Sequence, residues 1–423
     1  VSAQKSGRFA EITAKVENIG TLPGKETVQL YASIPNGRLD HPTRQLCGFA
    51  KTNELMPGEK ELVTITLDTT RLASYDTENA AYFMEKGEYI LSLGCSSRDN
   101  IPVVKLVLEE EIITKKLSNV GGNPGIVEFV PSNPAVVEVI SPVDIILLYA
   151  ADFAGIKEKS PAKPCAKARE FVKFLEDSEL INLCIGAYKK GADSITGAAG
   201  SIVAGAAGET FGKIAGVPAL SLADGPAGLR LSQMYTKDEK GVHPVGMKMP
   251  MDITEYFPPF VGKIADKFNE KKSLSEVSYQ YCTAIPIGTD IAQSWNIKLA
   301  ESCGELVADE MELYNVDVWL APALNIHRSP LCGRNFEYYS EDPLISGMFA
   351  AAITRGVQSR KGRYVTIKHY CCNNQEQNRM QNNSLVPERA LREIYLEGFK
   401  ICMEASNPGC IMTSYNLLNG EHT

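Results

Sequence analysis

Over the first hundred residues the chain alternates between apolar and polar positions. Ile12, Ala14 and Val16 alternate with Thr13, Lys15 and Glu17, and Val28 and Leu30 with Gln29 and Tyr31. Val63, Ile65 and Leu67 alternate with Thr64 and Thr66, and Tyr89, Leu91 and Leu93 with Ile90 and Ser92. A period of two predicts strands with one buried and one wet face. Turn sequences separate the runs, at Asn18-Ile19-Gly20, Pro35-Asn36-Gly37, Met56-Pro57-Gly58 and Lys86-Gly87. Short strands with regular turns predict an all-β sandwich over residues 1–110. That stretch has no Trp and no plausible Cys pair, which sets an antibody-type domain aside.

Residues 111–175 read as a connector. Val120-Gly121-Gly122-Asn123-Pro124-Gly125 and Pro131-Ser132-Asn133-Pro134 do not suit helix interiors or central strands. A helical stretch is expected over 166–183. From about residue 215 the pattern becomes alternating β and α. Strands are expected at Ala219–Ala223, Thr283–Ile287, Val316–Leu320, Tyr364–Ile367 and Cys410–Thr413. In the expected helix Ile297–Tyr314, Leu299, Cys303, Leu306 and Met311 share one face. In Pro387–Ala405, Leu391, Ile394, Tyr395, Gly398 and Cys402 do so, and Pro387 suits the first turn. Strand–helix alternation implies a parallel sheet, and both a doubly wound sheet and a (β/α)8 barrel fit it. No fixed-period repeat is present.

The chemistry gathers at the carboxyl ends of the expected strands. Ala219–Ala223 runs into Asp224-Gly225-Pro226. Val316–Leu320 runs into a loop bearing His327, Arg328, Arg334, Glu337, Glu341 and Asp342. Tyr364–Ile367 runs into Lys368-His369, and Cys410–Thr413 into Tyr415-Asn416. In a parallel α/β fold these ends share one face, where sites form. Carboxylate, Lys, Arg and His around one mouth suit a sugar, whose hydroxyls both donate and accept. They would equally hold a carboxylated metabolite. Each group also has a bland reading. Asp224 before Gly-Pro is an ordinary turn former, and Glu337, Glu341 and Asp342 make a solvated acidic run. Arg334-Asn335 could pin its loop, as Glu376 and Arg379 could pin theirs. Lys368 resists such a reading, because a strand-end Lys in an apolar run is costly unless paired. Trp295 and Trp319 read as core. The Gly/Ala tract 186–212 lacks the order of a phosphate loop.

Composition narrows the partners. The 423 residues carry a formal charge of −8, which argues against nucleic acid or an anionic membrane as the main partner. Eleven scattered cysteines with no C-x-x-C pair read as reduced thiols of a cytoplasmic compartment. The chain opens on Val1 within strand-like sequence and closes just after another strand-like segment, so a piece of a longer protein is expected.

Five segments together carry a resemblance. They are Ala223–Arg230 (ADGPAGLR), Asn325–Pro343 (NIHRSPLCGRNFEYYSEDP), Thr366–Tyr370 (TIKHY), Asn373–Glu376 (NNQE) and Met412–Asn416 (MTSYN). In this order they closely resemble glycoside hydrolase family 3 β-glucosidases over roughly residues 176–423. Residues 1–110, with Gln29-Leu30-Tyr31 and Met56-Pro57-Gly58-Glu59, resemble the fibronectin III-like domain of the same family. With that domain first, the order resembles the circularly permuted branch. The resemblance implies a fibronectin III-like sandwich (1–110), a connector (111–175) and a (β/α)8 TIM-type barrel (176–423) that is incomplete at its C-terminus.

It also implies a pocket for one terminal sugar. Asp224, Arg334, Lys368 and His369 match the family's residues for the glycone hydroxyls, and Met412 and Tyr415 match pocket-lining positions. No metal or organic cofactor is implied. The implied reaction is release of terminal β-D-glucose with retention, through an Asp nucleophile and a Glu acid/base. Neither carboxylate has a matched position here. The nucleophile is expected beyond Thr423, and the acid/base in a domain outside this chain. Residues 1–423 alone are therefore expected to be inactive and poorly stable. Cys332-Gly333-Arg334-Asn335-Phe336-Glu337 differs from the W-G-R-G-x-E-T type loop of family xylosidases, which favours the β-glucosidase over the β-xylosidase reading. Cys371-Cys372-Asn373-Asn374 differs from the His-Gly-Asp loop of the N-acetylglucosaminidases. The rival from another class is a non-catalytic sugar-binding or scaffolding protein.

Overall fold

The computed structural model describes residues 1–127, 137, 139, 143–156, 165–187, 201–239, 241–245 and 276–423. The Pro131–Pro134 run and much of the Gly/Ala tract lie outside the described residues. The N-terminal strands are β1 (Ser2–Ser6), β2 (Phe9–Glu17), β3 (Thr27–Ser33), β4 (Gln45–Lys51) and β5 (Lys60–Asp68). They continue with β6 (Ser74–Asp76), β7 (Ala81–Met84), β8 (Gly87–Gly94) and β9 (Asn100–Leu108). One sheet runs β1-β2-β5 and the other β11-β9-β8-β3-β4, where β11 is Asp144–Leu148. A short sheet β10-β7-β6, with β10 at Ile112–Lys116, completes the unit. Two segments of the stretch 111–175 thus pair with sandwich strands, β10 with β7 and β11 with β9. Ile12, Leu30, Ile65, Leu67, Tyr89, Leu91 and Leu106 fill the core between the sheets.

Alternation correctly marks the inner face of β2 and β5, but β3 has no wet face. Gln29 and Tyr31 are each only 7% exposed. They pair across the ladder with Phe49 and Leu46 of β4. Paired residues share a face, so these four side chains line one surface of the sheet. Phe49 packs edge-on against Trp295 at 5.2 Å and stacks near Phe349 at 6.4 Å. The second face of β3 and β4 is therefore covered by the C-terminal half of the chain. Tyr31 also donates its hydroxyl proton to Gln29 Oε1 at 2.5 Å, satisfying both polar groups.

The C-terminal half is built on a sheet of order β12-β13-β17-β18-β20. Its strands are β12 (Gly208–Glu209), β13 (Ser221–Ala223), β17 (Val318–Trp319), β18 (Tyr364–Tyr370) and β20 (Cys410–Thr413). Two small sheets flank it. One contains β14 (Met234–Asp238), β15 (Gly241–Pro244) and β16 (Ser278–Tyr279); the other β19 (Asn383–Ser384), β21 (Leu417–Leu418) and β22 (Glu421–His422). Strands β13, β17, β18 and β20 run parallel, as the β/α alternation predicts. The expected strand Thr283–Ile287 does not form. Its backbone bonds run to loop and side-chain groups instead: Thr283 N–H to Glu310 Oε1, and Ile285 N–H to the Ala227 carbonyl.

The helices are α1 (Ala166–Val172), α2 (Asp177–Ile185), α3 (Gly288–Gln293), α4 (Ile297–Leu313) and α5 (Pro343–Gln358), then α6 (Glu388–Ala390), a π-helical turn (Leu391–Tyr395) and α7 (Glu397–Ser406). The expected face of α4 is rotated. Leu299 and Leu306 are exposed, whereas Ala300, Gly304, Val307, Ala308 and Met311 are buried. The reason is a close crossing with α5. A Cβ on Gly304 would stand 2.4 Å from the Ile353 carbonyl oxygen, and one on Gly356 2.1 Å from that of Glu301. Small residues, not the largest apolar ones, set the contact. Leu391, Gly398 and Cys402 are buried as expected on the following helix, but Ile394 is exposed where the π turn shifts the register. No helix among the described residues is long and apolar enough to cross a membrane.

A second contact joins the two halves around α6. Glu388, 2% exposed, pairs with Arg392 at 2.7 Å and accepts the backbone N–H groups of Val120 and Gly121. Glu393 accepts the Tyr75 N–H at 2.6 Å, and Arg389 reaches Asp40 at 3.2 Å. The buried carboxylate is thus compensated from both sides.

Candidate functional site

Strand β13 ends at Ala223, and the chain turns sharply through Asp224-Gly225. Gly225 has a φ of +117°, and a Cβ there would lie 2.1 Å from the Gly228 carbonyl oxygen. Only glycine fits that turn. Buried Trp319 donates its indole N–H to the Gly225 carbonyl at 2.9 Å, so the expected core Trp also anchors the site loop. The turn brings Arg230 back to Asp224, with its guanidinium 2.6 Å from Oδ2.

Lys368 projects from the carboxyl end of β18, two strands from β13. Its Nζ lies 2.9 Å from Asp224 Oδ1, and its side chain is 3% exposed. Burial works against the Asp224 carboxylate, but Lys368 and then Arg230 outweigh it and hold its pKa below the usual carboxylate range. Asp224 is therefore more than a turn former. Lys368 pairs in register with Met412 of β20, which puts Met412 beside it on the sheet.

His369 is buried and clamped twice by Asn325. Its backbone N–H donates to Asn325 Oδ1 at 2.8 Å, and its carbonyl accepts from Asn325 Nδ2 at 2.9 Å. Burial, then the positive charges of Arg334, Lys368 and Arg379, push its pKa down to about 2. The imidazole is neutral at any working pH.

The loop after β17 folds on itself. His327 faces inward, its Nε2 2.9 Å from the Asn335 carbonyl. Thr289 of α3 donates to the carbonyls of Asn335 or Tyr338, 3.0 Å from each. Arg334 bonds through Nε to Glu337, and the pairing overcomes burial to raise its pKa. The acidic run is not a solvated face. Glu337 is 4% exposed, and Asp342 caps α5 by accepting the Leu344 and Ile345 N–H groups; only Glu341 is exposed. Tyr415 is 56% exposed and lies under the Arg379 guanidinium at 5.2 Å.

Of the six residues singled out from sequence, Asp224 and Lys368 touch directly. Met412 stands beside Lys368, and the charge of Arg334 reaches His369. Tyr415 meets the Arg379 guanidinium, which pairs with Glu376 at 2.9 Å. Sequence reasoning passed over Arg230, Asn325, Tyr338 and Asn373 as partners. Each lies inside one of the motif segments, and that was the available signal.

Residues 26–97 match the Fibronectin type III-like domain, and residues 274–423 match the Glycosyl hydrolase family 3 N terminal domain. The chain belongs to glycoside hydrolase family 3, with the fibronectin-like domain ahead of the N-terminal domain. Beta-glucosidase A of Butyrivibrio fibrisolvens is 34% identical over 449 residues, covering 96% of this chain and 47% of that protein. A beta-glucosidase of Ruminococcus albus is 33% identical over 438 residues, covering 97% of this chain and 40% of that protein. The solved beta-glucosidase of Paenibacillus barengoltzii superposes with a TM-score of 0.74 at 30% identity, over 99% of this chain and 44% of that one. The chain thus spans less than half the length of these relatives.

Proposed function

We propose that this chain supplies the sugar-holding part of a retaining exo-β-glucosidase that releases terminal glucose from small β-glucosides. The observation that carries the reading is the Asp224–Lys368 pair at the mouth of parallel strands, with Arg230 on the other carboxylate oxygen. A carboxylate so held stays ionised and can accept from two sugar hydroxyls, while Lys368, Arg334 and His369 donate to others. Met412 and Tyr415 would cover the apolar ring face. Relatives at about one-third identity that are named beta-glucosidases support the same class.

In this reading the parallel strands belong to a (β/α)8 barrel over 176–423, and the stretch 111–175 adds β10 and β11 to the sandwich of 1–110 on its way to the barrel. The bond-breaking Asp and Glu are supplied from outside residues 1–423. Glu337 does not fill the vacancy, because Arg334 already engages its Oε1. The scattered thiols support a cytoplasmic setting. The test is the full-length protein with an aryl β-glucoside, the product followed by proton NMR. The expected first product is the β-anomer of glucose. No glucose, or the α-anomer first, would overturn the proposal.

A further inference from the structure

A hydrogen-bond chain runs from the Arg379–Glu376 pair to the imidazole of His369, and its direction can be read. Arg379 Nη1 donates to Glu376 Oε2 at 2.9 Å, so Glu376 acts as an acceptor. Asn373 Nδ2 lies 3.1 Å from Glu376 Oε1 and 3.0 Å from the Tyr338 hydroxyl oxygen. Only the amide nitrogen can face a carboxylate, so the orientation of Asn373 is set. The Tyr338 oxygen accepts from Asn373, and its single proton is left to donate. The acceptor within reach is His369 Nδ1, at 3.3 Å. Tyr338 is fully buried, and its pKa is raised by that burial, so the phenol keeps its proton.

A neutral imidazole carries one N–H. We infer that Tyr338, oriented by Asn373 and Glu376, locks His369 in the tautomer with the proton on Nε2. Tyr338 and Asn373 are positioning residues: they act through His369 and not on a ligand. The consequence is a division of labour. Nε2 offers a fixed donor and cannot serve as a base, so a ligand oxygen facing it must accept. Asp224 is then the acceptor of the set, and His369, Lys368 and Arg334 are donors. A hydroxyl has lone pairs for this arrangement; a ligand ammonium does not.

The inference deepens the sugar-holding reading and rests on it for its meaning, but the test needs no sugar. The full-length protein is labelled with heavy-nitrogen histidine, His369 is assigned by substitution, and the two ring nitrogens are read by NMR. The wild type should show a protonated Nε2 and a bare, pyridine-type Nδ1. In Asn373→Asp the new carboxylate accepts the hydrogen bond of the Tyr338 O–H, which leaves the phenol oxygen as an acceptor, so Nδ1 should become the donor and appear protonated. Should that variant not fold, Tyr338→Phe removes the lock, and the two nitrogens should move toward averaged shifts. A wild type protonated on Nδ1, an Asn373→Asp protein with Nδ1 still bare, or a Tyr338→Phe spectrum unchanged from wild type would each overturn the inference. In the full-length protein Asn373→Asp should lower kcat/KM for an aryl β-glucoside about tenfold, the cost of one hydrogen bond. Glucose added to the wild type separates the two ideas. A His369 resonance blind to glucose counts against the sugar-holding reading and leaves the tautomer result intact.

Discussion

Lys368 Nζ meets Asp224 Oδ1 at 2.9 Å although their strands, β18 and β13, are not neighbours. Strand β17 lies between them, and its Trp319 anchors the loop that carries Asp224. The pair therefore ties three strand ends together. The Lys368 side chain is buried almost completely, so Asp224→Asn strands a cation in a poorly solvated position. The expected loss is about 3 kcal/mol in urea unfolding, most of it recovered in the double variant Asp224→Asn with Lys368→Met. Because the carboxyl pKa is lowered in the fold, its stabilisation is present above the unfolded value of about 3.9. That contribution fades as pH falls through the lowered value. Asp224→Asn should remove this acid-sensitive part.

His369 and His41 give the opposite kind of group the same pH trend. Burial is the first cause in both, lowering His369 to about 2 and His41 to about 4. Arg334, Lys368 and Arg379 reinforce the shift of His369; Arg389 reinforces that of His41, and Asp40 opposes it. Unfolding below about pH 6.5 takes up a proton at each. Stability should therefore fall from pH 6.5 toward 5 with a slope approaching about 1.4 kcal/mol per unit per histidine. His41→Asn should cut the slope by one proton, measured by denaturant melts across that range.

Asp342 behaves differently. Burial raises its pKa to about 6, against its two cap hydrogen bonds, and Glu341 adds to the rise. A raised acid favours the fold when protonated, so its cost appears as pH climbs from about 4 to about 6 and stays above that. Asn caps helices as well as Asp does. Asp342→Asn should stabilise the protein by about 1–2 kcal/mol at pH 7 and by little near pH 4, read as thermal midpoints at both.

The α4–α5 crossing depends on missing side chains. Gly356→Ala places a methyl 2.1 Å from the Glu301 carbonyl, with the Glu305 nitrogen and Gly304 Cα also close. The helices must separate, at an expected cost of about 1–3 kcal/mol despite the better helix propensity of Ala. Leu306→Ala, on the exposed face of α4, should cost under about 0.5 kcal/mol.

These contrasts show what the sequence could carry. Alternation located β2 and β5, where apolar residues recur at every second position, whereas β18 and β20 were legible as short apolar runs ending in polar groups. It misjudged β3, since Gln29 and Tyr31 are buried on the face where Phe49 of β4 meets Trp295 and Phe349 of the C-terminal half, and period two says nothing of a second domain. It set the buried face of α4 off-centre, keeping Met311 but favouring Leu299 and Leu306, which outweigh Ala300 and Gly304 on any hydropathy count. The site residues were legible as strand-end motifs. Their pairing was not, because Asp224 and Lys368 lie 144 positions apart and only the parallel sheet brings their strand ends to one mouth.

The account turns on Asp224 as the carboxylate that holds the sugar. The most direct measurement is kcat/KM of the full-length protein for an aryl β-glucoside, wild type against an Asp224→Asn protein shown to be folded by circular dichroism. The account predicts turnover by the wild type and a loss of at least about a hundredfold in the variant, since a charged acceptor for two hydroxyls is removed. A folded Asp224→Asn protein with wild-type kcat/KM would contradict it.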